Sequence, residues 1–353
     1  MSSHNPPWLD WWHAFSQEAH VGTINLGRYE AEYFSWGTGP TLVCIHGLAD
    51  SFLAFFPLAA LLKSHFRVIA YNLPDGYRDN ARLQEYSLTE LTRDLIRLLN
   101  RLDIRCATLV GHSYGAAVAL LAAYRFPHYI ARAVSVCGFA YRPLARWQVK
   151  LIGLGRLLPR RWACLTPYHA ELRHALAPTL LATSDPNKSA YRLLFRRPAK
   201  IKAPHPLRRW PRVSFRAWMH WAKELAHTDL RPILPRIHRP VLVISTDRDP
   251  LVPASCQSEL LTGLPQAIGF RIHARGHFPN WTHPNLVAHL IMEFHRMTFL
   301  AVPQGGSTHA SALSSAIVCP NRSTLPHSCP LWQALRNAPT NHFAATDKVS
   351  MLS

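Results

Sequence analysis

The sequence predicts an α/β fold: a mostly parallel central sheet flanked by helices, interrupted by one large insertion. Three observations carry this expectation. Short apolar runs of strand length recur, TLVCIH (41–46), FRVIAYN (66–72), CATLV (106–110) and ARAVSVC (131–137). Helical patterns lie between them, FLAFFPLAALLK (52–63), SLTELTRDLIRLLN (87–100) and YGAAVALLAAYRF (114–126). After a long break the alternation resumes with RPVLVIST (239–246), a helix near 254–262, GFRIHA (269–274) and a helix at 284–298. Strands apolar along their whole length have both faces covered, and helices between them are how parallel neighbours are joined.

Taken in order, residues 1–19 form a Trp-rich N-terminal segment, with a short amphipathic helix expected within 1–18. Residues 20–37 alternate and break at glycine, which suggests a hairpin. The core then comprises residues 20–139 and 231–300, and residues 140–230 form the insertion. From 301 to 353 the chain is rich in Ser, Thr, Pro and Ala without periodicity, and reads as a disordered tail without chemistry.

The 353 residues carry a formal charge of +19, from 39 Lys and Arg against 20 Asp and Glu. Most of that excess lies in the insertion, where 18 Lys and Arg face three acids between Tyr141 and Leu225. Such a balance favours anionic partners and says nothing about fold. Within the insertion, PLARWQVKLIGLGRLLP (143–159) places Leu144, Trp147, Leu151, Leu154 and Leu158 at helical spacing, with Arg146, Lys150 and Arg156 largely elsewhere.

Seven cysteines show no metal-ligand spacing and no close pairing. Cys44, Cys106 and Cys137 each fall in an apolar run, which reads as buried thiols in a reducing compartment. With no basic leader and no apolar run long enough to span a bilayer, a cytoplasmic protein is expected, at most peripheral to a membrane.

The chemistry concentrates at GHSYG (111–115). An apolar strand runs into it and a small-residue helix runs out, so Ser113 sits on a sharp turn at a helix N-terminus. Gly111 and Gly115 allow strand and helix to approach closely. A serine hydroxyl needs a base, and the base needs an orienting acid. RPVLVIST ends in DRDPLVP, which offers Asp247 and Asp249 at a strand's C-terminal edge, where sites in open α/β sheets cluster. GFRIHA is followed by RGHFPNWTHP, which offers His277 on the adjacent loop. His46, His112, His273 and His283 compete for the base role.

Residues 20–300 resemble the α/β-hydrolase superfamily, in its serine branch with a short HG-x oxyanion loop and a helical cap. The resemblance rests on HGLADS (46–51), GHSYG, DRDPLVP and GHFP (276–279), each at a strand end and in the family's order. One departure is NLPDGYRDN (72–80), where the family carries a D-x-P-G-x-G-x-S-like turn. The resemblance implies an α/β-hydrolase fold and a triad of Ser113, His277 and Asp249, with D-x-x-V-P selecting Asp249 over Asp247. It implies an oxyanion hole from the backbone N–H groups of Leu48 and Tyr114, with His46 and Gly47 structural in their loop. It also implies that the insertion is a cap covering the active site.

The expected activity is hydrolysis of a carboxylic ester, lipid-like or acyl, through an acyl-enzyme. C–C bond hydrolysis, thioester hydrolysis or acyl transfer, and cofactor-free haloperoxidation share the same frame, and a non-catalytic binding protein is the reading from another class. No metal or cofactor is implied. The expected partner is a small ester or acyl substrate. The basic cap either packs on the core with solvated cations outside or docks, with help from the Trp-rich N-terminus, on an anionic membrane. Nucleic acid is the less favoured partner, because no recognisable module accompanies the Arg–aromatic interleaving.

Overall fold

The computed structural model describes residues 8–48, 50–74, 86–143, 215–297 and 349–350. They fall into two compact units. One holds the chain up to Ile104 with the stretch ending at Glu224; the other begins at Arg105 and resumes at Leu225.

In the first unit, helix α1 (Trp8–Glu18) precedes the hairpin β1 (His20–Asn25) and β2 (Glu30–Trp36). Strand β3 (Thr41–Ile45), helix α2 (Phe56–Leu62) and strand β4 (Arg67–Tyr71) follow, and α3 (Leu88–Arg101) closes the series. β2 pairs antiparallel with β1 and β4, while β3 runs parallel to β4, as a strand–helix–strand crossover requires. The N-terminal helix is amphipathic as expected. Phe15 is fully buried, with ring centroids 5.3 Å from Phe34, 5.2 Å from Trp36 and 5.4 Å from Phe56. Trp12 is 4% exposed beside Phe15 and Phe56, so its ring belongs to the core and not to an external surface.

α3 shows why the 87–100 pattern folds as it does. Ser87 caps it, its hydroxyl accepting the Glu90 N–H, and Leu91, Leu95, Leu98 and Leu99 form one buried stripe. The expected helix at 52–63 instead starts as a 3₁₀ turn, Phe52–Phe55, because Pro57 lacks the N–H needed to continue an α-helix backwards.

The second unit is built on β5 (Ala107–His112), β6 (Ile130–Val136), β7 (Val241–Arg248) and β8 (Ala267–Arg275), all parallel in that order. Val349–Ser350 forms β9, antiparallel to β8, and is the only part of the 301–353 tail described. Helix α4 (Tyr114–Arg125) joins β5 to β6 and is buried from Tyr114 to Ala123. That burial on all sides suits a helix that is apolar all round.

Helix α5 (Phe215–His227) ends the insertion. Tyr86 stacks on its His220 and meets Trp221 edge-on, while Glu224 accepts the Leu88 N–H. The chain then returns to the second unit through Leu230 N–H to Ala140 O at 2.7 Å and Arg142 N–H to Thr228 O at 3.0 Å. Helices α6 (Ala254–Gly263) and α7 (Pro284–Arg296) complete this unit at the expected positions.

Two expectations need correction. Cys106 is exposed one residue before β5, because that strand starts at Ala107; Cys44 and Cys137 are buried. Asp247 lies inside β7, which runs on to Arg248, so Asp249 is the first residue past the strand. The amphipathic helix expected at 143–159, from residue 144 on, and most of the 140–230 insertion (144–214) lie outside the described residues. Among the described residues, no helix is long and apolar enough to cross a membrane.

Candidate active site

Because β5 to β8 are parallel, their C-terminal ends line one edge of the unit, and each strand delivers one residue there. Ser113 follows β5, Cys137 follows β6, Asp249 follows β7, and His277 lies two residues beyond β8.

Ser113 has φ 53° and ψ −116°, a conformation that side chains rarely adopt and that costs about 1–3 kcal/mol unless its surroundings impose it. Here they do. The Ser113 N–H donates to Val136 O at 2.9 Å, and the Ala116 N–H donates to Ser113 O at 3.0 Å. A Cβ on Gly111 would overlap the Gly115 carbonyl and the Ala116 backbone, so glycine permits the close strand–helix approach that makes the turn. Ser113 itself remains partly exposed between buried neighbours. The Tyr114 N–H lies in the first turn of α4, where the helix supplies no acceptor and the dipole favours negative charge.

Asp249 and His277 meet directly. His277 Nδ1 is 2.7 Å from Asp249 Oδ2, and the two side chains are 3% and 2% exposed. The other carboxylate oxygen accepts the N–H groups of Leu251 at 2.8 Å and Val252 at 3.0 Å, and Gln257 Nε2 lies 3.5 Å from Oδ2. Burial pushes the Asp249 carboxyl up, but the hydrogen bond and charge of His277, with the Val252 and Leu251 amides, hold it below its ordinary value. An ionised carboxylate can only accept, so the Nδ1 proton belongs to the imidazole and Nε2 carries the lone pair.

His112, next to Ser113, has its own task. Its Nε2–H donates to the backbone oxygen of His277 at 2.7 Å, and the two rings lie 4.9 Å apart. It thereby ties the serine turn to the histidine loop. Gly276, at φ 142°, makes the turn just before His277, and its carbonyl accepts the Thr246 hydroxyl.

The competing groups are occupied elsewhere. Asp247 bonds His273 and lies 3.9 Å from Arg271, on a more exposed part of β7 and β8. His283 contacts the Thr282 hydroxyl at the start of α7.

In the first unit, the HGLADS loop follows β3. His46 Nδ1–H donates to Gly47 O at 2.8 Å and its Nε2 accepts the Leu73 N–H at 2.9 Å. Burial lowers this imidazole to about 4, against a raising effect from the Gly47 carbonyl, so it stays neutral and pins the loop after β3 to the loop after β4. Leu48 is partly buried on the same loop. The turn at 72–80 is described only to residue 74.

Sequence alone does not mark Cys137, Thr246 or Gln257 as site residues. The usable signal for Cys137 was positional: it ends its strand as Ser113 and Asp249 end theirs. Its Sγ, an Asp249 oxygen and a His277 nitrogen lie within 4.8 Å of one another, a set of ligand types that could also hold a metal ion. Burial, reinforced by the charge of Asp249, holds the Cys137 thiol well above its ordinary value. It is thus a protonated donor, whereas a metal would want the thiolate.

Comparison with known proteins bears on the fold and the family. The chain is 26% identical over 262 residues to the uncharacterized hydrolase YugF of Bacillus subtilis, covering 72% of this chain and 89% of that protein. It is 27% identical over 267 residues to a pimeloyl-acyl-carrier-protein methyl ester esterase of Vibrio vulnificus, covering 73% and 95%. The crystal structure of a hydrolase from Pseudomonas aeruginosa superposes with a TM-score of 0.59 at 21% identity, covering 79% of this chain and 99% of that one. A family model described as alpha/beta hydrolase fold matches residues 40–284. That match spans well over half of the sequence, and the chain belongs to the alpha/beta hydrolase fold family.

Proposed function

We propose that the protein is a serine hydrolase of carboxylic esters, with Ser113 as nucleophile, His277 as base and Asp249 as orienting acid. The observation that carries this reading is the sealed 2.7 Å pair of Asp249 and His277 on the same strand edge as the strained Ser113 turn. His277 Nε2 takes the Ser113 proton as Oγ attacks the ester carbonyl. The resulting imidazolium is stabilised by Asp249, then returns the proton to the departing alcohol. Water, activated by the same nitrogen, hydrolyses the acyl-enzyme and regenerates Ser113. The N–H groups of Tyr114 and, by resemblance to the family, Leu48 are the donors for the oxyanion, each worth about 3 kcal/mol in related enzymes.

Two further observations support an acyl substrate. The esterase of Vibrio vulnificus carries a methyl ester substrate in its name. The apolar and basic residues of 140–230 also suit a cap over an acyl chain with cations facing an anionic surface. The test of the nucleophile is labelling by a fluorophosphonate probe. Wild type labels and Ser113→Ala does not; labelling that persists in the variant overturns the assignment.

A further inference from the structure

Cys137 follows β6 on the same strand edge as the triad, and the mechanism above leaves it unused. It is fully buried, yet its backbone has φ 47°, a left-handed conformation that glycine would adopt without penalty. A side chain kept at such a position calls for a reason. Its N–H donates to Ile244 O at 2.8 Å, which fixes the Cα beside β7. From there the sulfur lies within 4.8 Å of an Asp249 carboxylate oxygen, with Thr246 as its other polar neighbour. Thr246 in turn donates its hydroxyl to Gly276 O, one residue before the catalytic histidine.

We propose that Cys137 is a positioning residue for the triad acid: its S–H donates to the Asp249 carboxylate while its sulfur accepts from the Thr246 backbone N–H. This rests on the triad reading given above. Leu251 and Val252 hold Asp249 from its own loop, and His277 takes the oxygen that faces β8. Cys137 supplies a donor from the opposite neighbour, β6, so the carboxylate is held from strands on both sides. Without it the Leu251, Val252 and Gln257 contacts remain, but the carboxylate loses its restraint from β6 and holds the imidazole less firmly. The proton stays on sulfur throughout, in keeping with a thiol that burial makes hard to ionise. The group therefore orients and does not react.

The test compares Cys137→Ala and Cys137→Ser with wild type, using p-nitrophenyl butyrate hydrolysis, thermal melting and fluorophosphonate labelling on the full chain. Loss of one donor to a charged group should lower kcat by about tenfold in Cys137→Ala with KM unchanged. Cys137→Ser, whose hydroxyl also donates, should recover most of that rate. A thiol that merely fills space predicts the reverse order, because a buried hydroxyl suits an apolar gap less well than a methyl group. Wild-type kcat in Cys137→Ala, or a serine variant no faster than alanine, overturns the proposal. Where wild type labels at Ser113 and hydrolyses the ester but the variants show either pattern, only this inference falls. Where wild type itself neither labels nor hydrolyses, the triad reading falls and this one with it.

Discussion

At the scale of single residues, Asp50 shows what the loop after β3 costs. The residue is only partly buried as a whole, but its Oδ2 is sealed from solvent without a hydrogen-bond partner, and only Oδ1 accepts, from the Ser51 N–H at 2.7 Å. Burial raises this carboxyl to about 8, with the Ser51 amide pulling weakly the other way. The unfolded chain releases the Asp50 proton near the ordinary value of 3.8, whereas the folded chain keeps it until about 8. The folded state thus binds more protons between these values, and stability falls as pH rises through that window. Asp50→Asn, neutral at every pH, should melt with wild type at pH 4 and above it at pH 9. The gain at pH 9 is about 1–3 kcal/mol, the usual penalty of a buried unpaired polar group. Equal differences at both pH values would show that the carboxyl does not titrate as described.

At the scale of elements, α3 depends on a charge cluster as much as on its leucine stripe. Asp94 is fully buried on its inner face and accepts Arg28 Nη2 at 2.6 Å, Arg28 Nε at 3.1 Å and Arg97 Nη1 at 2.7 Å. Arg28 lies between β1 and β2 and also approaches Glu90 to 3.8 Å, so one guanidinium clamps the helix to the hairpin. Burial works against its charge, and the bonds to Asp94 more than restore it. Arg28→Ala strands a buried carboxylate with Arg97 alone. The expected loss is about 3–5 kcal/mol, read as a lower denaturation midpoint with an unchanged slope. The proposed esterase activity should persist in the fraction that remains folded. By contrast, the serine turn shows strain stored in an element boundary: β5, α4 and β6 together impose a backbone at Ser113 that none would adopt alone.

At the scale of the whole molecule, charge is the outstanding property. The net +19 is concentrated where 18 basic residues face three acids, in a segment proposed as the cap. Each Lys or Arg near an anionic bilayer adds about 1 kcal/mol, and salt screens that attraction. The protein should therefore sediment with phosphatidylserine-containing vesicles at low salt, release at high salt and ignore neutral phosphatidylcholine vesicles. Absence of binding to the anionic vesicles at low salt leaves the cations to solubility or substrate recognition. Burial of Trp12 against Phe15 and Phe56 puts this weight on the insertion, since that tryptophan is committed to the core.

Much of the fold is legible in the sequence alone. Apolar runs located every strand from β3 to β8 within two residues, because burial on both faces demands a continuous apolar sequence. GHSYG, DRDPLVP and GHFP mark Ser113, Asp249 and His277 as candidates, because a strand–turn–helix and two strand ends leave local marks. What the chain order left open was which side chains meet. Asp247 and Asp249 stand two residues apart in sequence, and only the end of β7 gives one to His273 and the other to His277. In sequence, Cys137 is one more buried thiol and His112 one of four histidines competing with His277 for the base role. Their contacts with Asp249 and His277 join positions more than a hundred residues apart, through pairing of parallel strands that no local pattern records. The sequence by itself determined the strands, the helices and the chemical types at the strand ends. The tertiary structure decided the pairing, because register and burial set the distances over which a hydrogen bond can form.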